Sequence, residues 1–303
     1  MSVPLFDAHC DSITRPGSLA KNRGQLDLQR LGAYAPAAQV FAVFSPPPLD
    51  TPAMFSRLLK RAKRKIEQNA DRVALCRTAE EIHAAHSGGR AAAILSVEGA
   101  AMLGCSCDGL RAAWSEGVRL VNLTWNKSNC LAGAAMDADP HGLTDEGREF
   151  VRCAQSLGVT PELSHISDTA FWDVVDITTK PLLVGHSNSR AICPHPRNLT
   201  DDMFSAVIRS GGCIGLNLCP DFVGGGRDID AVLTHAEHFL RLGGEKALCL
   251  GCDLDGIPRP PKGIDGVQDL AKLYEAMLAR GWGEALAQDI FFNNLMRFME
   301  AVL

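Results

Sequence analysis

The chain has 303 residues, of which 46% are hydrophobic and 21% are charged, and its formal net charge is −5. This composition can bury a large core and excludes a disordered or fibrous protein. It also argues against a nucleic-acid-binding protein, because the one basic cluster, at residues 60–65, is typical of the solvated face of a helix.

Short runs rich in Val, Ile, Leu and Ala, bounded by turn residues, predict eight buried strands. In chain order they cover residues 4–10, 37–45, 91–98, 118–125, 159–165, 181–187, 213–218 and 247–253. Helical patterns lie near residues 51–69, 107–116, 144–157, 167–176, 200–210, 229–242, 266–280 and 283–302. Thr144 and Thr200 are predicted N-caps, because acidic residues follow each of them in a first turn.

Strands that alternate with helices are typical of a parallel sheet covered by helices. Eight such units fit a closed (β/α)8 TIM barrel better than an open doubly wound sheet, because the sequence has no GxGxxG or Walker A turn. The PPP at 46–48 and the GGG at 224–226 indicate rim loops. We therefore predict an α/β protein in which residues 1–303 form a single barrel domain.

The eleven cysteines include Cys213, Cys249 and Cys252, which fall in apolar runs where cysteine behaves as a small buried hydrophobe. This usage indicates a reducing compartment. The first residues show neither the basic nor the apolar region of a secretion signal, and no apolar run reaches the roughly 18 residues of a membrane span. The sequence thus predicts a cytoplasmic protein with neither a membrane nor a nucleic acid as partner.

Polar side chains stand at the C-terminal ends of five predicted strands, although a buried parallel strand should be apolar almost throughout. They are His9, Asp11, Glu98, His165, His186 and Asp253. In a barrel these strand ends converge on one rim. Three imidazoles and three carboxylates would repel or titrate there unless cations lay between them, so we predict a metal site.

The spacing of these residues indicates how they could share metal ions. His9 and Asp11 point the same way on a strand and offer a nitrogen and an oxygen to one ion. Glu98 has two oxygens with which to bridge two ions, and His165 and His186 could bind the second. Such mixed ligation suits Zn²⁺ first, with Mn²⁺ and Co²⁺ as alternatives. The remaining histidines are predicted at the surface: His83, His86, His141, His195, His235 and His238.

Five segments carry a resemblance to a known family. They are DAHCD at 7–11, SVEGA at 96–100, ELSHIS at 162–167, VGHSNSRAICPHPRNLTDD at 184–202 and LGCDLDGI at 250–257. The sequence resembles the membrane (renal) dipeptidases and their bacterial relatives, peptidase family M19 of the amidohydrolase superfamily. The resemblance implies proteolysis of dipeptides by a hydroxide that bridges two zinc ions, with tolerance of a D-residue at the C-terminal position.

Carried over to this chain, the resemblance implies a role for each metal-site residue. His9 and Asp11 would bind the first zinc ion, Glu98 would bridge the two ions, and His165 and His186 would bind the second.

The resemblance also implies a proton carrier and a substrate contact outside the ligand set. Asp253 would be the catalytic acid and base, whereas Asp255 would support its loop. Arg197, eleven residues after His186, would hold a substrate carboxylate through a bidentate pair. Its position in the sequence by itself instead favours a surface arginine ahead of the helix that begins at Thr200.

One segment departs from the family pattern. Relatives commonly carry a histidine just after the LT of the fourth strand, whereas this chain reads LTWNKSN, with Trp125 at that place and Asn126 beside it. Both are predicted substrate contacts, but an indole donates one hydrogen bond and carries no charge. The departure keeps open a metal-dependent amidohydrolase acting on another small amide, such as an N-acyl amino acid.

Two further interpretations concern binding and assembly. A non-catalytic binding relative is disfavoured, because all five ligands and Asp253 are present. A homodimer is expected by analogy with the family alone.

Overall fold

The computed structural model describes residues 2–303, and its parallel strands close into a barrel. The strands are β1 Leu5–Cys10, β2 Ala37–Val43, β3 Val73–Leu75, β4 Ala91–Val97, β5 Val118–Asn122, β6 Thr160–Glu162, β7 Leu183–Val184, β8 Cys213–Leu216 and β9 Leu248–Leu250. β2 pairs with both β1 and β4, and β9 pairs with β1, so a ring of eight strands is complete without β3. The predicted TIM barrel is confirmed.

Helices connect the strands of the ring. They are α1 Leu28–Leu31, α2 Pro52–Glu67, α3 Ala79–Ser87, α4 Cys107–Ser115, α5 Asp145–Leu157, α6 Asp168–Ile177, α7 Asp201–Arg209, α8 Pro220–Val223, α9 Ile229–Arg241, α10 Leu270–Ala279, α11 Gly283–Gln288 and α12 Asn294–Val302. The predicted N-caps are confirmed, because Thr144 Oγ1 accepts from Gly147 N and Thr200 Oγ1 accepts from Met203 N. None of the helices between residues 2 and 303 has the length and apolar character that a bilayer crossing requires.

Five elements were not predicted or differ from the prediction. β3 has three residues and pairs with Ala91–Ala93 of β4. β5 pairs along the same edge of β4, with residues that come after these three in the chain. α1 and α8 have four residues each, and the inward face of α3 is built largely on alanines, which give a weak apolar periodicity. The helix predicted over 283–302 is interrupted by a π-helical turn at Asp289–Asn293.

Burial confirms the cysteine prediction and corrects part of the basic cluster. Cys213, Cys249 and Cys252 are buried, and all eleven cysteines are free thiols. Lys65, in contrast, does not belong to a solvated face: it is buried, and its Nζ donates to the carbonyl oxygen of Arg15 at 2.6 Å. The aliphatic part of the Lys65 side chain can be buried on the inward face of α2, because its ammonium group reaches this backbone acceptor.

Candidate metal centre

The parallel ring brings the predicted polar residues to one end of the barrel. His9 lies in β1, Asp11 follows it, and Glu98 comes directly after β4. His9 Nε2 is 3.7 Å from Glu98 Oε1, 3.8 Å from Asp11 Oδ2 and 3.9 Å from Asp253 Oδ1. Side chains separated by up to 244 positions in the chain therefore meet in one buried cluster.

A second group of contacts adjoins the first through Glu98. His165 Nε2 lies 3.0 Å from Glu98 Oε1, and His186 Nε2 lies 3.6 Å from the same oxygen. The Nε2 atoms of His165 and His186 are 2.9 Å apart. Oε1 of Glu98 thus lies near all three imidazoles, a central position from which one carboxylate can serve two ions.

The backbone at the cluster is unusual. His165 and Asp253 have positive φ angles of 73° and 58°, which cost free energy for residues other than glycine and are retained where the surrounding structure imposes them. Gly256 lies directly behind the carboxylates: a Cβ atom at this position would collide with Oδ2 of Asp11 and Oδ1 of Asp253. Glycine at 256 is what lets the two carboxylates approach each other.

The residues of the cluster fit divalent metal ions. His9 Nε2, Asp11 Oδ1 and His186 Nδ1 are buried and have no hydrogen-bond partner, which is costly unless another ligand satisfies them. Two overlapping sets, His9–Glu98–His186 and His9–Asp11–Asp253, each offer three ligand atoms within 4.8 Å of one another. Nitrogen and carboxylate oxygen donors in this arrangement suit zinc and related ions.

The electrostatics of the cluster favour added positive charge. Burial by itself lowers the pKa of His9, but the charges of Glu98, Asp11 and Asp253 outweigh burial and raise that pKa to about 10. Burial also raises the pKa of Glu98, and the charge of Asp11 raises it further. Both shifts draw protons into the cluster, and a metal cation would be attracted for the same reason.

His165 and His186 are suited to ligation in a different way. Burial lowers the pKa of each imidazole well below its ordinary value, so both are neutral. Asn126 Oδ1 lies 2.9 Å from His165 Nδ1 and accepts a hydrogen bond from its N–H, which leaves the lone pair on Nε2 facing Glu98. Asn126 therefore orients His165, and its predicted substrate contact stays a prediction.

Asp253 is held by one oxygen and free at the other. Asn217 Nδ2 donates to Asp253 Oδ2 at 3.1 Å, and Oδ1 faces His9. Burial raises the pKa of Asp253 to about 6, although the charge of His9 opposes the increase. A carboxylate with a pKa near neutrality can both accept and return a proton.

Arg197 is not a surface residue, so the expectation from its sequence position alone is wrong. Only 3% of its surface is exposed, and among residues 2–303 it forms no salt bridge. Its guanidinium makes long contacts with Ser187 Oγ at 3.4 Å and the His186 carbonyl oxygen at 3.5 Å, and Nε has no partner. A buried guanidinium without a salt bridge is costly, and the charges of Asp253, Glu162 and Glu98 offset only part of that cost, so Arg197 is suited to pair with an anionic ligand.

Trp125 lies at the edge of the cluster. Its ring is half-buried, 5.1 Å from the ring of Phe44 and 6.3 Å from that of His165. It lines a pocket of about 210 Å³ that reaches Glu98 and Gly99. A larger groove, of about 460 Å³, lies between α2 and α4, and none of the candidate site residues lines it.

Sequence reasoning missed three buried polar residues, two of which contact the cluster. Glu162 Oε2 lies 3.9 Å from the unpaired Nδ1 of His186, Asn217 binds Asp253, and His235 is buried and not at the surface as predicted. Glu162 ends β6 and Asn217 directly follows β8, so the rule that found Glu98, a polar side chain at the end of a strand, could have found them. His235 has no such signal, because it lies on the inward face of α9 among apolar residues.

A parallel barrel with imidazoles and carboxylates clustered at the C-terminal strand ends belongs to the class of metal-dependent barrel hydrolases. The model of one family, described as membrane dipeptidase (peptidase family M19), matches residues 1–303. The chain therefore belongs to the membrane dipeptidase family and is a metallodipeptidase of that family.

Individual relatives agree with this assignment. An uncharacterised protein in the pqqA 5′ region of Klebsiella pneumoniae is 31% identical over an alignment of 252 residues, and the match covers 79% of this chain and 93% of that protein. Dipeptidase tcpJ of Claviceps purpurea is 30% identical over an alignment of 245 residues, and that match covers 79% of this chain and 58% of that protein.

A solved structure extends the similarity to the whole chain. It is a metallopeptidase from Rhodobacter sphaeroides, crystallised with a phosphinate mimic of the dipeptide L-Ala-D-Ala. Its TM-score to this chain is 0.90 at 27% identity, and the match covers 100% of both chains.

Proposed function

We propose that this chain is a zinc-dependent dipeptidase that hydrolyses dipeptides with a free C-terminal carboxylate and accepts a D-residue at that position. The observation that carries the proposal is Arg197, buried without a salt bridge next to the cluster of imidazoles and carboxylates. The dipeptide mimic bound to the Rhodobacter sphaeroides protein supports the substrate class and the D-residue.

The proposed metal ligands are the five residues of the cluster outside Asp253. His9, Asp11 and Glu98 would hold one zinc ion, and Glu98, His165 and His186 the other, which the distances among their ligand atoms support. When bound, the two ions supply a hydroxide nucleophile at neutral pH and positive charge for the scissile carbonyl oxygen.

The protein side chains would position the substrate and move the protons. Arg197 pairs with the substrate carboxylate and so directs the peptide bond toward the cluster. Asp253 would take a proton from the attacking water through Oδ1 while Asn217 holds Oδ2, and it would return that proton to the amine nitrogen as the C–N bond breaks. The atoms of one water are thus divided between the new carboxylate and the released amine.

Trp125 would form one wall of the substrate site, in the pocket beside Glu98. We also propose that the protein is cytoplasmic and that residues 1–303 form one domain. By analogy with its family, we propose that it is a homodimer.

The proposal is tested by metal analysis and a substrate panel. Protein purified without chelator is expected to bind about two zinc ions per chain. It should hydrolyse L-Ala-L-Ala and L-Ala-D-Ala, lose this activity on chelation and regain it with zinc. N-acetyl-L-alanine and L-Ala-L-Ala amide serve as comparison substrates. Faster hydrolysis of N-acetyl-L-alanine, or protein without a bound divalent ion, would contradict the proposal.

A further inference from the structure

Two segments that carry no metal-site side chain lie against Arg197, and the first begins directly after His186, whose carbonyl oxygen is 3.5 Å from the guanidinium. The first, residues 187–199, carries Arg197 itself and contacts its guanidinium through Ser187 Oγ at 3.4 Å. The second is α8, whose Phe222 ring lies 5.3 Å from Cζ of Arg197. The place of the guanidinium therefore depends on how these two segments are fixed to each other.

His235 of α9 joins these two segments. Ser189 N donates to His235 Nδ1 at 3.1 Å, and His235 Nε2 donates to the carbonyl oxygen of Val223 at 2.8 Å. One ring nitrogen accepts and the other donates, so the two bonds specify one neutral tautomer. His235 is fully buried on a helix of 13 residues, which makes it a rigid tie between the Arg197 segment and the end of α8.

A second tie runs parallel to the first. Asn198 Nδ2 donates to the carbonyl oxygens of Cys193 and Phe222, both at 2.9 Å. Loss of His235 would therefore loosen the two segments without releasing them, and a graded effect is expected.

We propose that His235 is a positioning residue for Arg197: it holds the guanidinium against Phe222 at the place where a substrate carboxylate would pair with it. The inference rests on the proposed function, in which Arg197 binds that carboxylate. His235 acts only through Arg197 and touches neither the cluster of metal-site residues nor the substrate. Its loss should weaken recognition of the carboxylate and leave metal binding and proton transfer unchanged.

Three variants separate the two hydrogen bonds of His235. His235→Phe removes both, His235→Gln can keep a donor for the Val223 carbonyl, and His235→Asn can keep an acceptor for Ser189 N. His238→Gln is the matched control, because His238 lies on the same helix but bonds Asp201 Oδ1 at 2.7 Å.

The readout is steady-state kinetics of zinc-loaded protein on L-Ala-L-Ala and on its C-terminal amide, together with zinc content. His235→Phe is expected to raise the KM for the dipeptide about tenfold, with kcat and zinc content unchanged and little effect on the amide. His235→Gln and His235→Asn should show smaller increases, and His238→Gln none. An equal loss on both substrates, or a loss of kcat alone, would overturn the inference.

Arg197→Met, measured on the same two substrates, distinguishes the inference from the function on which it rests. If Arg197→Met affects both substrates equally, the proposed role of Arg197 fails. If Arg197→Met impairs hydrolysis of the dipeptide only, while the His235 variants impair hydrolysis of neither substrate, the role of Arg197 stands and only the role of His235 is refuted. The Arg197→Met/His235→Phe double variant should lose no more than Arg197→Met, since both act through one contact. If His235→Phe does not fold, His235→Gln and His235→Asn test the inference through the same comparison of the dipeptide with its C-terminal amide.

Discussion

At the scale of single residues, Asp253 and Asp255 show how environment separates two identical side chains. Asp253 faces His9 and is held by Asn217. Asp255, two positions on, turns away and accepts from Ser12 Oγ at 2.6 Å and Gln25 N at 2.9 Å. The first carboxylate is free to carry a proton, whereas the second fastens the loop after β1.

Asp253→Asn is expected to retain zinc and to lower kcat about 10²- to 10⁴-fold, because an amide cannot accept the proton. Metal analysis and kinetics of the purified variant check this. Asp255→Asn is the comparison: it should lower the midpoint of thermal unfolding more than it lowers kcat in the protein that remains folded. Near-normal turnover in Asp253→Asn would show that another group carries the proton.

At the scale of elements, local sequence determines how several helices begin. α7 follows the segment that carries Arg197, and its first turn has Thr200 as the N-cap and two acidic residues. Thr200 Oγ1 accepts from Met203 N, and acidic side chains favour the positive end of the helix dipole. These contacts span only three residues, so a sequence pattern suffices to predict them.

Thr200→Ala is expected to lower the free energy of unfolding by about 1 kcal/mol, because Met203 N loses its acceptor. Urea denaturation of the zinc-loaded protein measures the change. Thr200→Ser keeps the hydroxyl and should lie much closer to the native value. Equal stability of the native protein and Thr200→Ala would show that water replaces the cap at no cost.

At the scale of the whole molecule, the barrel ring places ligands from distant parts of the chain around one centre. His9 lies in β1, Glu98 follows β4, and His165 and His186 follow β6 and β7. Metal ions held by all of these would bind the folded chain far more tightly than the unfolded chain, because only the closed ring assembles the ligands. Metal binding should therefore stabilise the entire barrel.

Removal of metal is expected to lower the melting temperature by several degrees, since ligand at 1,000 times its Kd stabilises a folded protein by about 4 kcal/mol. Differential scanning calorimetry before chelation, after chelation and after return of zinc measures the effect. His165→Ala should show a smaller response to zinc than the native protein. Identical melting of the chelated and zinc-loaded native protein would contradict a metal site that spans the ring.

Much of the fold and part of the site could be predicted from the sequence. All eight strands of the ring appear where apolar runs predict them, and the six polar residues at strand ends do meet. β3 could not be predicted, because three residues form a strand only when β4 offers an edge. Sequence position alone places Arg197 and His235 at the surface, because nothing in their local sequence shows that segments from elsewhere cover them, and only the family resemblance predicted Arg197 in the site.

The barrel and the candidate ligands could be predicted from the amino-acid sequence, because apolar periodicity, N-caps and polar strand ends are local properties of the chain. The arrangement of the site depends on the folded chain: Arg197 is buried without a salt bridge among residues 2–303, Asn126 orients His165, and His235 joins the two segments around Arg197. The physical reason is that burial and hydrogen-bond partners depend on residues far apart in the chain, which become neighbours only when the ring closes.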